Sequence, residues 1–511
     1  YGDKISDRSG AADGVIIGDQ RFESRDGRIY YPYADRVDGS VDKNSQAVYL
    51  KSNRDAILGT GFSFENGLSL QKSSENGSTY ISANSWKQNG VIKGGSDYYR
   101  RSFRFNNSTK FDEKLSGRIS ANYTKTTADQ VQFGSNLNGL YLGYLRTPAD
   151  FDNSAYIGTA YNAAGTPTLN AQRGYRNFLG PIPTYNNPLW TANEQSNTTS
   201  VDRFLITPEL TYKFNENISV TARYNVDTYR DKREQFFPVN SATNEGSGEG
   251  VFSSNHIFSN SQYLTGFINS NHAISEDFTF NWVLGATYEE RSLEQVGGTL
   301  SRFQVTDIDL NDLIDLSNGL PEDISIFDNY SYSKQVGSYA VLDFEIFNQV
   351  LIQASGRVDQ SSTLPGQSFY YPGIAAGWKF TEAIGESDIL SFGKLRASYG
   401  EVAVAPQAYR LSTDFNIGGG VGSSWGDSLN GASLGGATSR ADQQGNPNLL
   451  VERVKEVEVG ADLKFFNNRV STGFTYYDRE TEDVIIGRLV SPATGFTSLL
   501  SNAAIPKYSW A

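Results

Sequence analysis

Apolar and polar residues alternate strictly over long stretches of the chain. In Leu115–Thr124, the set Leu115, Gly117, Ile119, Ala121 and Tyr123 interleaves with Ser116, Arg118, Ser120, Asn122 and Thr124. Ile218–Asp227 repeats the scheme, with Ile218, Val220, Ala222, Tyr224 and Val226 against Ser219, Thr221, Arg223, Asn225 and Asp227. In Phe278–Glu289, Phe278, Phe280, Trp282, Leu284, Ala286 and Tyr288 alternate with Thr279, Asn281, Val283, Gly285, Thr287 and Glu289. A period of two sends successive side chains to opposite faces of a strand, so each segment predicts a strand with one apolar and one polar face. Ordinary strands run about 5–6 residues; these run about 12.

Fourteen such strands are expected. They fall near 61–71, 78–87, 97–110, 115–126, 203–214, 218–230 and 261–274, then near 278–290, 334–346, 350–359, 369–381, 389–402, 454–465 and 470–486. The breaks between them alternate in kind. Short polar turns are expected at Phe111–Lys114, Asn215–Asn217, Ser275–Asp277, Phe347–Gln349, Glu382–Asp388 and Phe466–Arg469. Mostly longer, irregular connections are expected at 127–202, 231–260, 291–333, 360–368 and 403–453.

A β-sandwich has no reason to gather its long loops at one end, whereas an outer-membrane barrel has short turns on one side and long loops on the other. The height agrees. Phe278 follows a short turn, and Tyr288 lies on the same face ten residues later. At about 3.3 Å per residue and a tilt near 40°, they are roughly 25 Å apart along a barrel axis, the height of the apolar band between two aromatic girdles. Tyr212 and Phe214, just before another short turn, would sit on the inner girdle. A soluble sandwich or an adhesin is the alternative, but about fourteen long apolar faces would then need covering, and the pattern contains no helices to cover them.

Composition narrows the class. The 511 residues include 50 Gly, 30 Tyr and 30 Phe, which suits a large β protein. Mean hydropathy is −0.45, and no apolar run approaches the length of a membrane-spanning helix. A net charge of −13 disfavours nucleic acid as a partner. Cys is absent, which excludes a disulfide framework, a thiolate zinc site and a cysteine nucleophile. There is no Met either, and the chain opens at Tyr1 without a signal peptide, so the sequence is expected to be part of a longer polypeptide.

Several stretches, in their order and spacing, resemble the barrel of a SusC/RagA-type TonB-dependent transporter of a Gram-negative outer membrane. They are Gln88-Asn89-Gly90-Val91-Ile92 with Ser96-Asp97-Tyr98, Asn186-Asn187-Pro188-Leu189-Trp190, and Asp227-Thr228-Tyr229-Arg230-Asp231-Lys232-Arg233-Glu234. Tyr371-Pro372-Gly373-Ile374-Ala375-Ala376-Gly377-Trp378 and Lys394-Leu395-Arg396-Ala397-Ser398-Tyr399-Gly400 follow. Asn446-Pro447-Asn448-Leu449 and Phe465-Phe466-Asn467-Asn468-Arg469, leading to Tyr476-Tyr477, complete the set. The resemblance implies an all-β fold: a large antiparallel transmembrane barrel of 22 strands in the family, about 14 of them within residues 1–511, with long outer loops. It further implies an N-terminal plug, inner-membrane TonB with ExbB and ExbD to pull on it, and a SusD-like surface lipoprotein as a lid. The plug and the last strands are expected to lie outside this sequence. The function implied is active import of oligosaccharides or oligopeptides. A passive porin and a surface adhesin remain as alternatives.

Catalytic motifs are weak. Gly422-Ser423-Ser424-Trp425-Gly426 matches a nucleophile elbow, but no His follows His272 to complete a triad, so an enzyme is not expected. Asp307, Asp309, Asn311, Asp312 and Asp315 hint at a calcium loop, yet Asp312 and Asn318 stand where an EF-hand needs Gly and Glu. No other cofactor is suggested, and His256 and His272 are expected to be structural or exposed, without partners. Arg118, Glu209, Lys213, Arg223, Asp227, Arg357 and Asp359 fall on polar faces and are expected to line a lumen, mainly paired with one another or with the plug. Aromatic rings in the outer loops are the candidate ligand contacts: Tyr156, Tyr161, Tyr175, Tyr185 and Trp190 in 127–202, and Trp425 in the Gly-rich loop. Packing within the loops is the competing role for these rings.

Overall fold

The computed structural model describes residues 4–8, 18–31, 46–132, 137–176, 183–243, 248–306, 314–385, 387–417, 438–504 and 507–510. Strands β1 (Arg21–Ser24) and β2 (Ile29–Tyr30) and helix α1 (Leu50–Ile57) come first, followed by β3 (Phe62–Ser74), β4 (Gly77–Asn89), β5 (Asp97–Lys110) and β6 (Leu115–Asp129). The next connection holds α2 (Leu140–Arg146), β7 (Ile157–Tyr161), β8 (Pro167–Gln172) and α3 (Pro188–Asn193). Long strands then run without interruption: β9 (Ser196–Lys213), β10 (Ile218–Phe237), β11 (Val251–Ser275), β12 (Phe278–Leu300), β13 (Ile324–Ile346), β14 (Val350–Ser361) and β15 (Ser368–Trp378). After α4 (Thr381–Ile384) come β16 (Leu390–Val404) and the short β17 (Phe415–Ile417), β18 (Thr438–Arg440) and β19 (Gln443–Gln444). The chain continues through β20 (Glu452–Phe465), β21 (Val470–Glu482), β22 (Val484–Leu489), β23 (Ser498–Ala504) and β24 (Lys507–Trp510).

One antiparallel sheet of 15 strands dominates, in the order β24-β21-β20-β16-β15-β14-β13-β12-β11-β10-β9-β6-β5-β4-β3. All fourteen expected strands are in it, joined by the short β24. Among the described residues β3 and β24 each pair on one side only, and every residue of β3 is exposed.

Register decides which residues share a face. Leu115, Tyr212, Val220, Ile268, Leu284, Ala340, Gly356 and Pro372 form one continuous row across eight strands. This face is open: Leu210, Leu264, Leu284, Ile374 and Phe474 are all exposed. The core is correspondingly displaced. Among the described residues, the buried hydrophobic side chains lie at the long-loop end, in the connections or in the strand tips that enter them. Ile57, Val131, Leu140, Leu189 and Ala192 make one such cluster, and Leu364, Phe369, Leu449, Val451 and Leu500 another. A wall with a broad open apolar face and its core outside the wall is what a bilayer accommodates and water does not.

The short turns follow local chemistry. The Asp112 carboxylate accepts from the backbone N–H groups of Lys114 and Leu115, both at 2.7 Å, and these bonds lower its pKa. Asn215 does the same for Asn217 and Ile218. Phe347 and Asn348, and Phe466, Asn467 and Asn468, adopt positive φ, the conformation that tight hairpin turns require and Asn tolerates best.

Several boundaries differ from the sequence pattern. The expected loops 231–260 and 291–333 are partly strand, because β10 to β13 run on to Phe237, from Val251, to Leu300 and from Ile324. Both faces of these tips mix apolar with polar residues, and Phe236, Phe252, Leu300 and Ile324 pack together there, so the ladder continues where the contrast between faces has faded. The segment 369–381 ends at Trp378 and turns into α4, and 470–486 divides at Asp483, whose φ of 58° lets β22 leave for β23. The loops also carry short helices, which the alternation could not reveal.

Candidate functional site

On the face opposite the apolar row, Arg118, Glu209, Arg223, Thr265, Thr287, Gly337 and Asp359 stand in register. Each sequence-predicted charge lies on this face. Arg223 pairs with Glu209 at 2.6 Å, with Arg118 opposite Glu209 in the ladder. Arg203 Nε donates to Asp227 Oδ1 at 2.8 Å, a partner that the sequence did not single out. Arg357 is tied more tightly: it pairs with Asp359 at 2.8 Å and donates to Tyr371 Oη at 3.0 Å and Thr287 Oγ1 at 2.7 Å. Tyr371 also donates to Asp359, which is 1 % exposed. Gly337 makes room for this cluster, since a Cβ there would lie 1.9 Å from Asp359 Oδ1. Of the expected charges, Arg223 with Glu209 and Arg357 with Asp359 pair with one another, while Asp227 pairs with Arg203 instead.

A second cluster on the same face was not anticipated as a site. Arg396 bonds to Glu458 and Thr475 and lies 3.5 Å from Asp462. Its guanidinium lies against Gly460, where a Cβ would come within 2.8 Å of Cζ. The sequence signal was there, in Lys394-Leu395-Arg396 and in glycines at lumen parity, but alternation does not say which charges meet. Beside this cluster is a recess of about 500 Å³ lined by Asn281, Asp343, Gln353, Lys394, Arg396 and Glu458, among others. With donors and acceptors of both signs, such a surface can hold polar ligands or a polar protein segment.

The loop layer is built differently. β2, β1, β7 and β8 form a four-stranded sheet, and a buried carboxamide network joins it to distant segments. Gln172 Nε2 donates to Asn186 Oδ1 and to the Asn240 carbonyl, both at 2.7 Å. Asn187 Nδ2 donates to the carbonyls of Asn153 and Arg173, while its Oδ1 caps α3 by accepting from Leu189 N–H at 2.9 Å. Pro188 at the first helical position completes the start of α3. The Asn186-Asn187-Pro188 motif is therefore a structural clasp.

The aromatic candidates do not converge. Trp190 is 0 % exposed, with Nε1 donating to Ser241 Oγ at 2.9 Å, so its expected ligand role is replaced by one in the loop core. Tyr156 packs against the cluster of Ile57, Val131, Leu140, Leu189 and Ala192 and donates to Glu194 Oε1 at 2.8 Å. Burial, then this carboxylate bond, push its hydroxyl up to about 12. Tyr161 sits in the small sheet under Arg21, 3.8 Å from the ring centre. Tyr175 and Tyr185 stack on each other at 6.0 Å, with Arg146 over Tyr185. Trp425 and the calcium candidates Asp307, Asp309, Asn311 and Asp312 lie outside the described residues; Asp315 accepts from Ser317 Oγ and N–H. His272, expected to lack partners, lies beside Asn217 Nδ2 at 3.3 Å and bonds to Ser270.

Comparison with known proteins places this architecture. The TonB-dependent receptor P26 of Formosa agariphila is 27% identical over 462 residues, covering 88% of this chain and 42% of that protein. TonB-dependent receptor P3 of the same organism is 23% identical over 473 residues, with 88% and 43% coverage. The chain thus spans less than half the length of these relatives. Among solved structures, the RagAB peptide importer in its open-open state shares the fold with a TM-score of 0.72 at 18% identity, over 89% of this chain and 48% of that one. The family model for the TonB dependent receptor-like β-barrel matches residues 143–509, and it describes receptors and transporters of the Gram-negative outer membrane. With that match over more than half its length, the chain belongs to the TonB-dependent receptor β-barrel family.

Proposed function

We propose that this chain supplies barrel wall and outer loops to an active importer that carries oligosaccharides or oligopeptides across the outer membrane. The observation that carries this reading is the family match over 143–509, on a sheet whose open apolar face backs a face of paired charges and polar recesses. In this reading the apolar face lies in lipid. Arg118, Glu209, Arg223, Asp227, Arg357 and Asp359 face the lumen, where the pairs Arg223–Glu209, Arg203–Asp227 and Arg357–Asp359 keep the wall polar while neutralising most of its charge. TonB with ExbB and ExbD would energise the complete protein through a plug, and a SusD-like lipoprotein would cap the long-loop end. Tyr161, Tyr175 and Tyr185 are the loop rings left to meet cargo or lid.

The test is uptake in cells that carry the complete gene. Labelled oligosaccharides and labelled oligopeptides should be offered separately, with and without TonB, and with and without the neighbouring lipoprotein. Accumulation of one cargo class that disappears without TonB is expected. Uptake that persists without TonB would identify a passive pore instead.

A further inference from the structure

One patch of the apolar face departs from its surroundings. Ala340, Gly356 and Pro372 stand side by side across β13, β14 and β15, and Ser338, Val358 and Tyr370 form a second such row two residues nearer the loops. Positions around them on the same face include large exposed side chains, Leu284, Val336 and Ile374, beside the small Ala286 and Ala354. The small residues leave a groove of about 600 Å³ with Val358 and Tyr370 on its rim. At Gly356 the space is open, since a Cβ there would meet no atom within 4 Å. Tyr339, Arg357 and Tyr371 also border the groove, but by alternation they do so through the main chain, and Arg357 and Tyr371 are bonded on the polar face.

The groove ends at a seam in the wall. β15 pairs with β16 only from Gly373 to Trp378. Pro372 has no N–H to offer across that gap, so the ladder stops there. Arg453 fills in from β20: its Nη1 donates to the Tyr370 carbonyl at 2.8 Å and to Glu401 Oε2 at 3.1 Å. The charges nearest the groove therefore neutralise each other.

We infer that this groove holds one acyl chain of a membrane lipid in a fixed place. The inference rests on the reading that the apolar face lies in the bilayer. The occupant follows from the surroundings: the groove is continuous with the open apolar face, its polar side-chain groups are the small Ser338 and the Tyr370 hydroxyl at the rim, and the charges nearest its end, Arg453 and Glu401, are paired with each other. A flexible methylene chain fits such a lining, and a polar partner does not.

Native mass spectrometry of the complete protein, extracted from outer membranes into detergent, tests this with two probes sharing the same acyl chains, a phosphatidylethanolamine and a phosphatidylglycerol. Wild type should retain one molecule of either lipid to an equal degree. Gly356→Leu, which fills the groove where no atom is crowded, should lower that occupancy at least fivefold, and Ser338→Leu should act in the same direction if the first variant assembles poorly. Equal occupancy in wild type and in an assembled filled variant would overturn the groove alone, as would retention that follows headgroup charge. A wild-type protein that does not fractionate with outer membranes would overturn the membrane-facing reading and the groove with it.

Discussion

The wall and the loop layer solve opposite packing problems. In the wall the large apolar side chains point outward and stay exposed, and the charges face their ladder neighbours on the other side. In the loop layer apolar side chains close on each other, and buried carboxamides tie together segments up to 100 residues apart, as Asn53 does by donating to the Phe151 carbonyl and accepting from Asn153 N–H. Stability in the wall therefore rests on a long backbone ladder and on the solvent that bathes each face. In the loop layer it rests on a few irreplaceable contacts. A single substitution should be absorbed by the first region when it respects the face, and by the second hardly at all.

The sharpest test of that difference is Trp190→Ala. Removing a fully buried Trp costs about 3–5 kcal/mol, and here it also orphans the bond to Ser241. Hydrogen exchange should show lost protection in 138–195 and 238–243, with β10 to β13 unchanged below their tips. Equal loss in the wall would mean that the two regions unfold as one unit.

The wall should respond by face. Arg in place of Leu284, which is 48 % exposed on the apolar row, should cost about 2–4 kcal/mol if it lies near the bilayer midplane. Arg in place of Asn281 points to the polar recess, opposite Asp343 in the ladder, and should leave assembly nearly unchanged. Urea unfolding in lipid vesicles measures both. The reverse order would show the faces to be assigned the wrong way round.

Legibility divides along the same line. Leu284 and Asn281 could be placed on their faces from the sequence because a period of two is a local property. Trp190 could not be placed: its environment is made by Ser241, 51 residues away, and no spacing rule links the two. Arg357 and Asp359 could be placed on the polar face, but Tyr371 and Thr287 as their partners depended on register across the four strands β12 to β15. The strand tips from 251 to 260 and from 291 to 300 were missed for another reason. Backbone hydrogen bonds hold them in the sheet, and their side chains carry little contrast between faces.

Asn187→Ala probes the loop layer more gently. It removes the cap of α3 and leaves the carbonyls of Asn153 and Arg173 without its donor, a loss of about 1–2 kcal/mol. Limited proteolysis between 138 and 195 should speed up while the wall remains resistant. Unchanged cleavage would show that α3 does not need its clasp.

Alkali should act on the same layer. The Tyr156 hydroxyl is held protonated by burial and by Glu194, with its pKa raised to about 12. A raised pKa means that the folded state favours the neutral form, so this contribution is complete below an unfolded value of about 10 and is lost as pH rises through the folded one. Exchange in the loop layer should therefore quicken across that window. Tyr156→Phe should remove this pH dependence, which tyrosinate absorbance can follow independently; an unchanged profile would place the alkaline transition elsewhere.

The smallest effect is expected in the wall, at Asp227→Asn. Asp227 accepts from Arg203, whose side chain is 55 % exposed, and an ion pair this open contributes about 0.2–1 kcal/mol. Both residues face water on the polar side, so the orphaned guanidinium can be solvated and leaves no buried charge behind. The loss should shrink further at 1 M salt, where the screening length falls to about 3 Å. Vesicle unfolding midpoints at low and high salt measure this. A loss of several kcal/mol that survives salt would mean that the polar face is sealed from water at this height, and the wall would then depend there on single contacts as the loop layer does.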